Sequence, residues 1–145
     1  LPESQLDRFM ISFSLNELND VDQLKVLKEH KESDNQKNQE FFDLKKLNLQ
    51  KKEIIMEDVV FNYILNISKY MKENFNEIHI SSRCLKFIVN MSKSLTLIRG
   101  SKAVTFKEVQ EVVPYVLRHR IELVDRKEDN NFIQKKIIEK VDLPK

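Results

Sequence analysis

A single glycine, Gly100, stands among the 145 residues of this chain, and it constrains the fold more than any other feature. Backbone amides approach a phosphate closely only where glycines let the chain turn, so a phosphate-cradling loop followed by Lys and Ser or Thr cannot be written here. A dinucleotide fingerprint needs three glycines. A Gly-x-Ser-x-Gly nucleophile elbow is equally impossible. The chain therefore lacks the loops by which many enzymes hold nucleotide or expose a catalytic serine.

Charged residues make up 33% of the chain and hydrophobic residues 41%, a composition that suits a small, largely helical domain with a well-solvated surface. The length allows one compact domain, or one domain plus the edge of another. Lysines and arginines number 25 against 23 acidic residues. That balance gives no electrostatic case for a nucleic-acid partner, which needs clustered Lys and Arg. The pairs Lys45-Lys46 and Lys51-Lys52 read as solvated helix faces.

Cys84 is the sole cysteine, so neither a disulfide framework nor a Cys-rich metal site can form within the chain, and its natural role is a small buried hydrophobe. His30, His79 and His119 are far apart and show no metal-ligand spacing. No metal site is expected. No stretch reaches the length of a membrane-spanning helix and no signal peptide is visible. The expectation is a soluble, cytoplasmic protein with no membrane insertion.

Periodicity sets out the organisation. Residues 10–15 alternate, with Ile11, Phe13 and Leu15 on one face and Ser12 and Ser14 on the other, which predicts one short strand. Asp20 is placed to cap a helix from Val21 to about His30, with Leu24 and Leu27 inward. Residues 31–41 have almost no apolar content and read as a linker or mobile loop. A helix is expected over Leu44–Glu53 and a longer one over Glu57–Asn74. Val59, Val60, Tyr63, Ile67, Tyr70 and Met71 form the core stripe of the second.

Ser81 is placed as the N-cap of a helix running to about Ile98, with Leu85, Ile88, Val89, Met91, Leu95 and Ile98 mostly inward. Gly100 supplies the turn after it. Thr105-Phe106-Lys107-Glu108 is a capping box opening a helix through Val112. Pro114 is expected to break that helix and start a short final one, Tyr115 to Arg120. A last amphipathic segment, Phe132 to Val141, carries Phe132, Ile133, Ile137 and Val141 on one side.

Two arginines stand apart. Arg83 opens a helix behind its N-cap, where free N–H groups and the positive dipole end favour an anion such as phosphate. An ordinary surface arginine, or one paired with a nearby Glu, fits the same spacing, which by itself favours that plainer reading. Arg8 sits between Asp7 and Phe9 just before the expected strand. An arginine at a sheet edge can reach a phosphate held elsewhere, yet an Asp7–Arg8 surface motif without catalytic role fits equally.

Longer motifs bear on both. The opening Leu1-Pro2-Glu3-Ser4-Gln5-Leu6-Asp7-Arg8-Phe9 begins without an initiator Met and reads as a piece of something longer. It resembles the L-P-E-A-Q-L-D-R-F of the MoxR family of AAA+ ATPases. Leu97-Ile98-Arg99-Gly100-Ser101-Lys102-Ala103-Val104-Thr105-Phe106-Lys107-Glu108-Val109 resembles that family's L-L-R-G-R-x-x-V-T-P-E-D-V. Val116-Leu117-Arg118-His119-Arg120 resembles its V-L-R-H-R, and the tail from Phe132 to Pro144 its terminal helix.

The resemblance implies a mainly α chain: a helical-bundle AAA+ lid domain preceded by one short strand left from the α/β ATPase core. Residues 1–30 would be the C-terminal edge of the core, 31–41 a linker and 42–145 the lid. It implies a parent that couples ATP hydrolysis, with Mg2+, to chaperone-like assembly or activation of other proteins. The stretch alone would be inactive and would bind neither cofactor, since P-loop and acidic magnesium motif are absent. Arg8 matches the D-R-F arginine, a candidate arginine finger acting in trans on a neighbouring subunit's γ-phosphate. Arg83 matches the arginine of G-A-S-P-R-A, the sensor-2 position, although Gly and Pro of that pattern are replaced in His79-Ile80-Ser81-Ser82-Arg83-Cys84. His119, with Arg118 and Arg120, would lock the last helices. The implied partners are further subunits in a hexameric ring and a client protein of von Willebrand factor A type. The competing expectation is a helical adaptor module with no ATPase parent.

Overall fold

Val60, Tyr63, Ile64, Ile67 and Met71 recur every three or four residues and are all buried, so helix formation brings one continuous apolar stripe to the core. The computed structural model describes residues 3–13, 15, 17–28, 43–75, 80–121 and 136–144. These form helices α1 (Glu3–Leu6), α2 (Asp20–Lys28), α3 (Leu44–Glu53), α4 (Asp58–Asn74), α5 (Ser82–Ile98) and α6 (Phe106–Ile121), then a 3₁₀ turn over Ile138–Lys140. The expected linker, residues 31–41, lies outside the described residues, as do His30, His79, Phe132 and Ile133.

The core is a packing of α4, α5 and α6, with α3 against α5 and α1 against α6. Cys84 and Ile88 face it from α5, as do Val109, Val113, Val116 and Leu117 from α6. Ile137 and Val141 close it from the tail, both buried as their spacing predicts. Tyr63 is fully buried and packs edge-on to Phe106, with centroids 5.3 Å apart. Its hydroxyl accepts a hydrogen bond from Gln110 at 3.1 Å, which satisfies the polar end of an otherwise apolar side chain.

Helix boundaries follow capping chemistry. Asp43 accepts from the N–H groups of Lys45 and Lys46 to start α3, and Ser81 accepts from the Cys84 N–H to start α5. Gly100 ends α5 with φ +70°. Its N–H reaches the Leu97 carbonyl while that of Ser101 reaches Thr96, a Schellman arrangement that needs the left-handed residue. The Thr105 N–H donates to Glu108 at 2.9 Å and the Lys107 N–H to the Thr105 hydroxyl at 3.3 Å, so the expected capping box forms.

Four expectations are corrected. First, residues 10–13 form no strand. The described residues contain no sheet, only an isolated parallel bridge between Ile55 and Ala103. With no neighbouring strand to satisfy it, this arm instead donates the Ser12 N–H to the Tyr115 carbonyl of α6 at 3.0 Å. Ile11, Phe13 and Leu15 are exposed.

Second, α2 is capped by Asn19, whose side-chain oxygen accepts from the Asp22 N–H at 2.9 Å, rather than by Asp20. Leu24 and Leu27 are exposed because α2 buries no residue in the described structure.

Third, Pro114 does not break α6, which runs unbroken from Phe106 to Ile121. Proline removes one i→i−4 hydrogen bond at a cost of about 3 kcal/mol. Val112 and Val113 before it and Val116 and Leu117 after it are all buried, at roughly 1.5–3 kcal/mol per large apolar side chain. Burial on both sides of the proline outweighs the lost bond.

Fourth, Ile98 is 82% exposed. It lies in the last turn of α5, on the side where the chain leaves the core for the Gly100 turn.

Candidate functional site

The predicted site residues meet around one carboxylate. α1 ends in a tight turn in which the Arg8 N–H donates to the Gln5 carbonyl at 3.1 Å and the Phe9 N–H to Leu6 at 3.0 Å. That turn swings the Asp7 side chain onto the N-terminus of α5. There the Ser81 hydroxyl donates to Asp7 at 2.8 Å while accepting from the Cys84 N–H at 3.1 Å. Arg83 places Nη1 3.4 Å from the other oxygen of Asp7. The helix end where sequence places an anion thus carries an anion from the same chain.

Arg83 itself is open. Its side chain is 54% exposed, so the Asp7 contact is a surface pair of small strength. Arg8 is exposed and makes no ion pair with a described residue. The structure therefore brings the neighbourhoods of Arg8 and Arg83 together through Asp7 without joining the two guanidinium groups.

Sequence reasoning gives Arg120 a part in locking the last helices but misses that it organises this corner through Asp7. Arg120, on the last turn of α6, is 6% exposed. Its Nε and Nη2 donate to Asp7 Oδ1 at 3.3 and 3.2 Å. Nη2 also donates to the backbone carbonyls of Asp7 at 3.1 Å and Phe9 at 3.3 Å. Nη1 reaches the Val116 carbonyl and lies 2.7 Å from His119 Nε2. The guanidinium carbon sits 6.0 Å from the centre of the Phe87 ring. Every face of the cation is occupied, as a buried charge requires. The signal was present in the sequence: Arg120 falls on the stripe Val113, Val116, Leu117, where a charge needs a partner brought from elsewhere in the chain. His119 is buried beside it.

Cys84 lies under this corner. Burial pushes its thiol up to about 11, an effect that Arg120 reduces and Asp7 increases. It is a protonated core residue near neutrality and no nucleophile. Among the described residues no group of three His, Cys, Asp or Glu side chains comes together to hold a metal. No described helix is long and apolar enough to cross a membrane.

A second polar cluster joins the other end of α5 to α6. Arg99 donates to Glu108 at 3.1 Å and to Glu111 at 2.7 Å, and these acceptors raise its basicity further. Burial pushes the Glu108 carboxyl up, but the Thr105 hydroxyl and N–H together with Arg99 outweigh it and hold the group below the usual carboxylate value. This cluster fixes the α5–α6 turn and lies away from the Asp7 corner in sequence and along the helix.

The comparisons with known proteins bear on the family and the fold. No curated protein matches the chain. A crystal structure of a protein assigned as an ATPase, from Cytophaga hutchinsonii, superposes with a TM-score of 0.73 at 20% identity, over 100% of this chain and 49% of that one. At that identity the likeness speaks to fold, and the chain spans about half the length of the structure it matches. The AAA lid domain family matches residues 69–141, from the end of α4 through the tail that closes the core. That match takes in half of the sequence, with all of α5 and α6 and the last turn of α4, and the chain belongs to the AAA lid domain family.

Proposed function

We propose that the chain is the lid, with the adjoining edge of the core, of a MoxR-type AAA+ ATPase that assembles as a ring and uses ATP hydrolysis to act on client proteins. Nucleotide and Mg2+ would be held by a core that these 145 residues do not include. The observation that carries the reading is Arg8: in a chain of the AAA lid family, a D-R-F arginine stands exposed and unpaired among the described residues, on a backbone held at both sides.

The chemistry asked of these residues is positioning and charge neutralisation. Arg8 would reach the γ-phosphate in a neighbouring subunit, where charge spreads over the transferred phosphoryl group. Such an arginine contributes roughly three to five orders of magnitude in rate. Arg83, held among the described residues by one exposed contact to Asp7, would exchange that carboxylate for a phosphate of its own subunit's nucleotide as the lid closes. The fit is to an anion at a helix N-terminus. A hexameric ring and a client of von Willebrand factor A type follow from the MoxR resemblance. The exposed apolar residues of the arm and α2, including Phe13, Leu15, Leu24 and Leu27, fit a surface covered by the rest of such a core.

The test is Arg8→Ala in the whole ATPase. ATP hydrolysis should fall by a thousandfold or more while ATP affinity stays within a fewfold. Turnover that survives the change overturns the finger assignment. A coding sequence without G-x-x-x-x-G-K-[ST] upstream would instead favour a helical adaptor.

A further inference from the structure

We propose that Arg120 is the positioning residue for Arg8: a buried guanidinium at the end of α6 that grips the backbone on both sides of the finger and sets where it points. The proposal rests on the finger reading above for its catalytic consequence, and on geometry alone for the clamp.

Arg8 lies between the two peptide carbonyls that Arg120 binds, those of Asp7 at 3.1 Å and Phe9 at 3.3 Å. A third contact, to the Asp7 carboxylate at 3.2 Å, fixes the turn from the side. Among the described residues, the other ties of this turn to the helices run through the Asp7 side chain, to Ser81 at 2.8 Å and Arg83 at 3.4 Å, and none of them reaches a backbone carbonyl beside Arg8. α1 is one turn long, and beyond Phe9 the arm is tied to α6 by the Ser12–Tyr115 bond. Without Arg120, the Asp7 side chain would still be held by Ser81, but the peptide carbonyls on either side of Arg8 would lose their donor. With it, three acceptors on the arm converge on one planar cation whose own orientation is set by the Val116 carbonyl, His119 and the Phe87 ring.

The geometry also explains why lysine would not serve. The contacts need donors from Nε, Nη1 and Nη2 in fixed directions, which the planar fork provides and a single ammonium does not. A finger displaced by about 1 Å can lose on the order of a hundredfold in rate. The same cation spans α6 and the arm, so a movement of α6 with the lid is passed to Arg8 through these bonds.

The experiment is a pair of measurements on Arg120→Lys. In the chain itself, amide exchange at residues 8–12 should speed up tenfold or more while the core amides of α4 and α5 keep their protection. Unchanged exchange in the arm overturns the clamp. In the whole ATPase, kcat should fall at least tenfold with KM for ATP within twofold. If Arg8→Ala abolishes turnover and Arg120→Lys leaves kcat unchanged, the positioning role is overturned. If Arg8→Ala itself has no effect, the finger reading is what fails, and the exchange result still decides the clamp. Should Arg120→Lys not fold, Phe87→Leu loosens the guanidinium without leaving a charge unpaired. It should shift arm exchange and kcat in the same directions, by two- to fivefold, and no shift in either overturns the proposal.

Discussion

Asp7 and Arg120 are 113 residues apart, yet Arg120 Nη2 lies 3.2 Å from Asp7 Oδ1. The same carboxylate also meets Arg83 at 3.4 Å. Burial separates the two contacts: the Arg120 side chain is almost wholly enclosed and that of Arg83 is not. An enclosed charge that loses its counter-ion is costly, whereas an exposed pair contributes at most about 1 kcal/mol. Asp7→Asn should therefore destabilise the chain by about 2 kcal/mol, the range for a hydrogen bond to a charged group. Arg83→Gln should stay within about 0.5 kcal/mol. Urea unfolding of both variants checks the division, and equal losses would show that it is wrong.

Two hydroxyls on α5 make a contrasting pair. Thr96 is fully buried and donates to the Ser92 carbonyl at 2.8 Å. Ser92 is also fully buried, and its hydroxyl has no partner among the described residues. Ser92→Ala removes an unsatisfied polar atom and adds helix propensity, so it should stabilise the chain by about 1 kcal/mol. Thr96→Val removes a made bond and should cost about 1 kcal/mol. Thermal melts of the two variants should move in opposite directions.

The helices of the core were legible in sequence because their signal is local. The stripe through Tyr63, Ile67 and Met71, the Ser81 cap, the Gly100 turn and the Thr105–Glu108 box each rest on residues within one or two helical turns. The misread strand and the misread proline share one cause, a tertiary effect that local pattern cannot carry. The alternation of Ile11, Phe13 and Leu15 specifies a strand only if a partner strand exists. Pro114 ends a helix only if nothing packs on both sides of it. The site divides in the same way. Arg83 stands out from its own helix N-terminus, although its phosphate role rests on the family resemblance. Arg120 acquires its meaning from Asp7 and Phe9, more than a hundred residues earlier in the chain.

Gly100 offers a test of backbone conformation with packing held constant. It adopts φ +70°, and a Cβ built there meets nothing within 4 Å. Any loss on Gly100→Ala is then conformational, and the left-handed region costs an L-residue about 1–2 kcal/mol. Gly100→Asn should lose less, since Asn tolerates that region better. Chemical denaturation should rank the variants Gly, Asn, Ala in falling stability, and an Ala variant as stable as the parent would remove the case for a required left-handed turn.

Acid should loosen the α5–α6 turn through Glu108. Its carboxylate accepts from the Thr105 N–H and hydroxyl and from Arg99, and these donors hold it below the usual carboxylate value of 4.5 despite burial. A group whose folded pKa is depressed stabilises the fold above its unfolded pKa, and that contribution is lost as pH falls through the folded value. Glu108→Gln keeps an oxygen for the Thr105 N–H but cannot bear the charge. At pH 7 the variant should be less stable by about 1 kcal/mol, the scale of a helix cap. The gap should narrow steadily from about pH 5 downward as the parent's carboxylate takes up its proton. Urea denaturation of both proteins at pH 7, 5 and 3 would measure it. A gap that stays constant across that range would mean that the charge of Glu108, as opposed to its shape, contributes nothing to the turn.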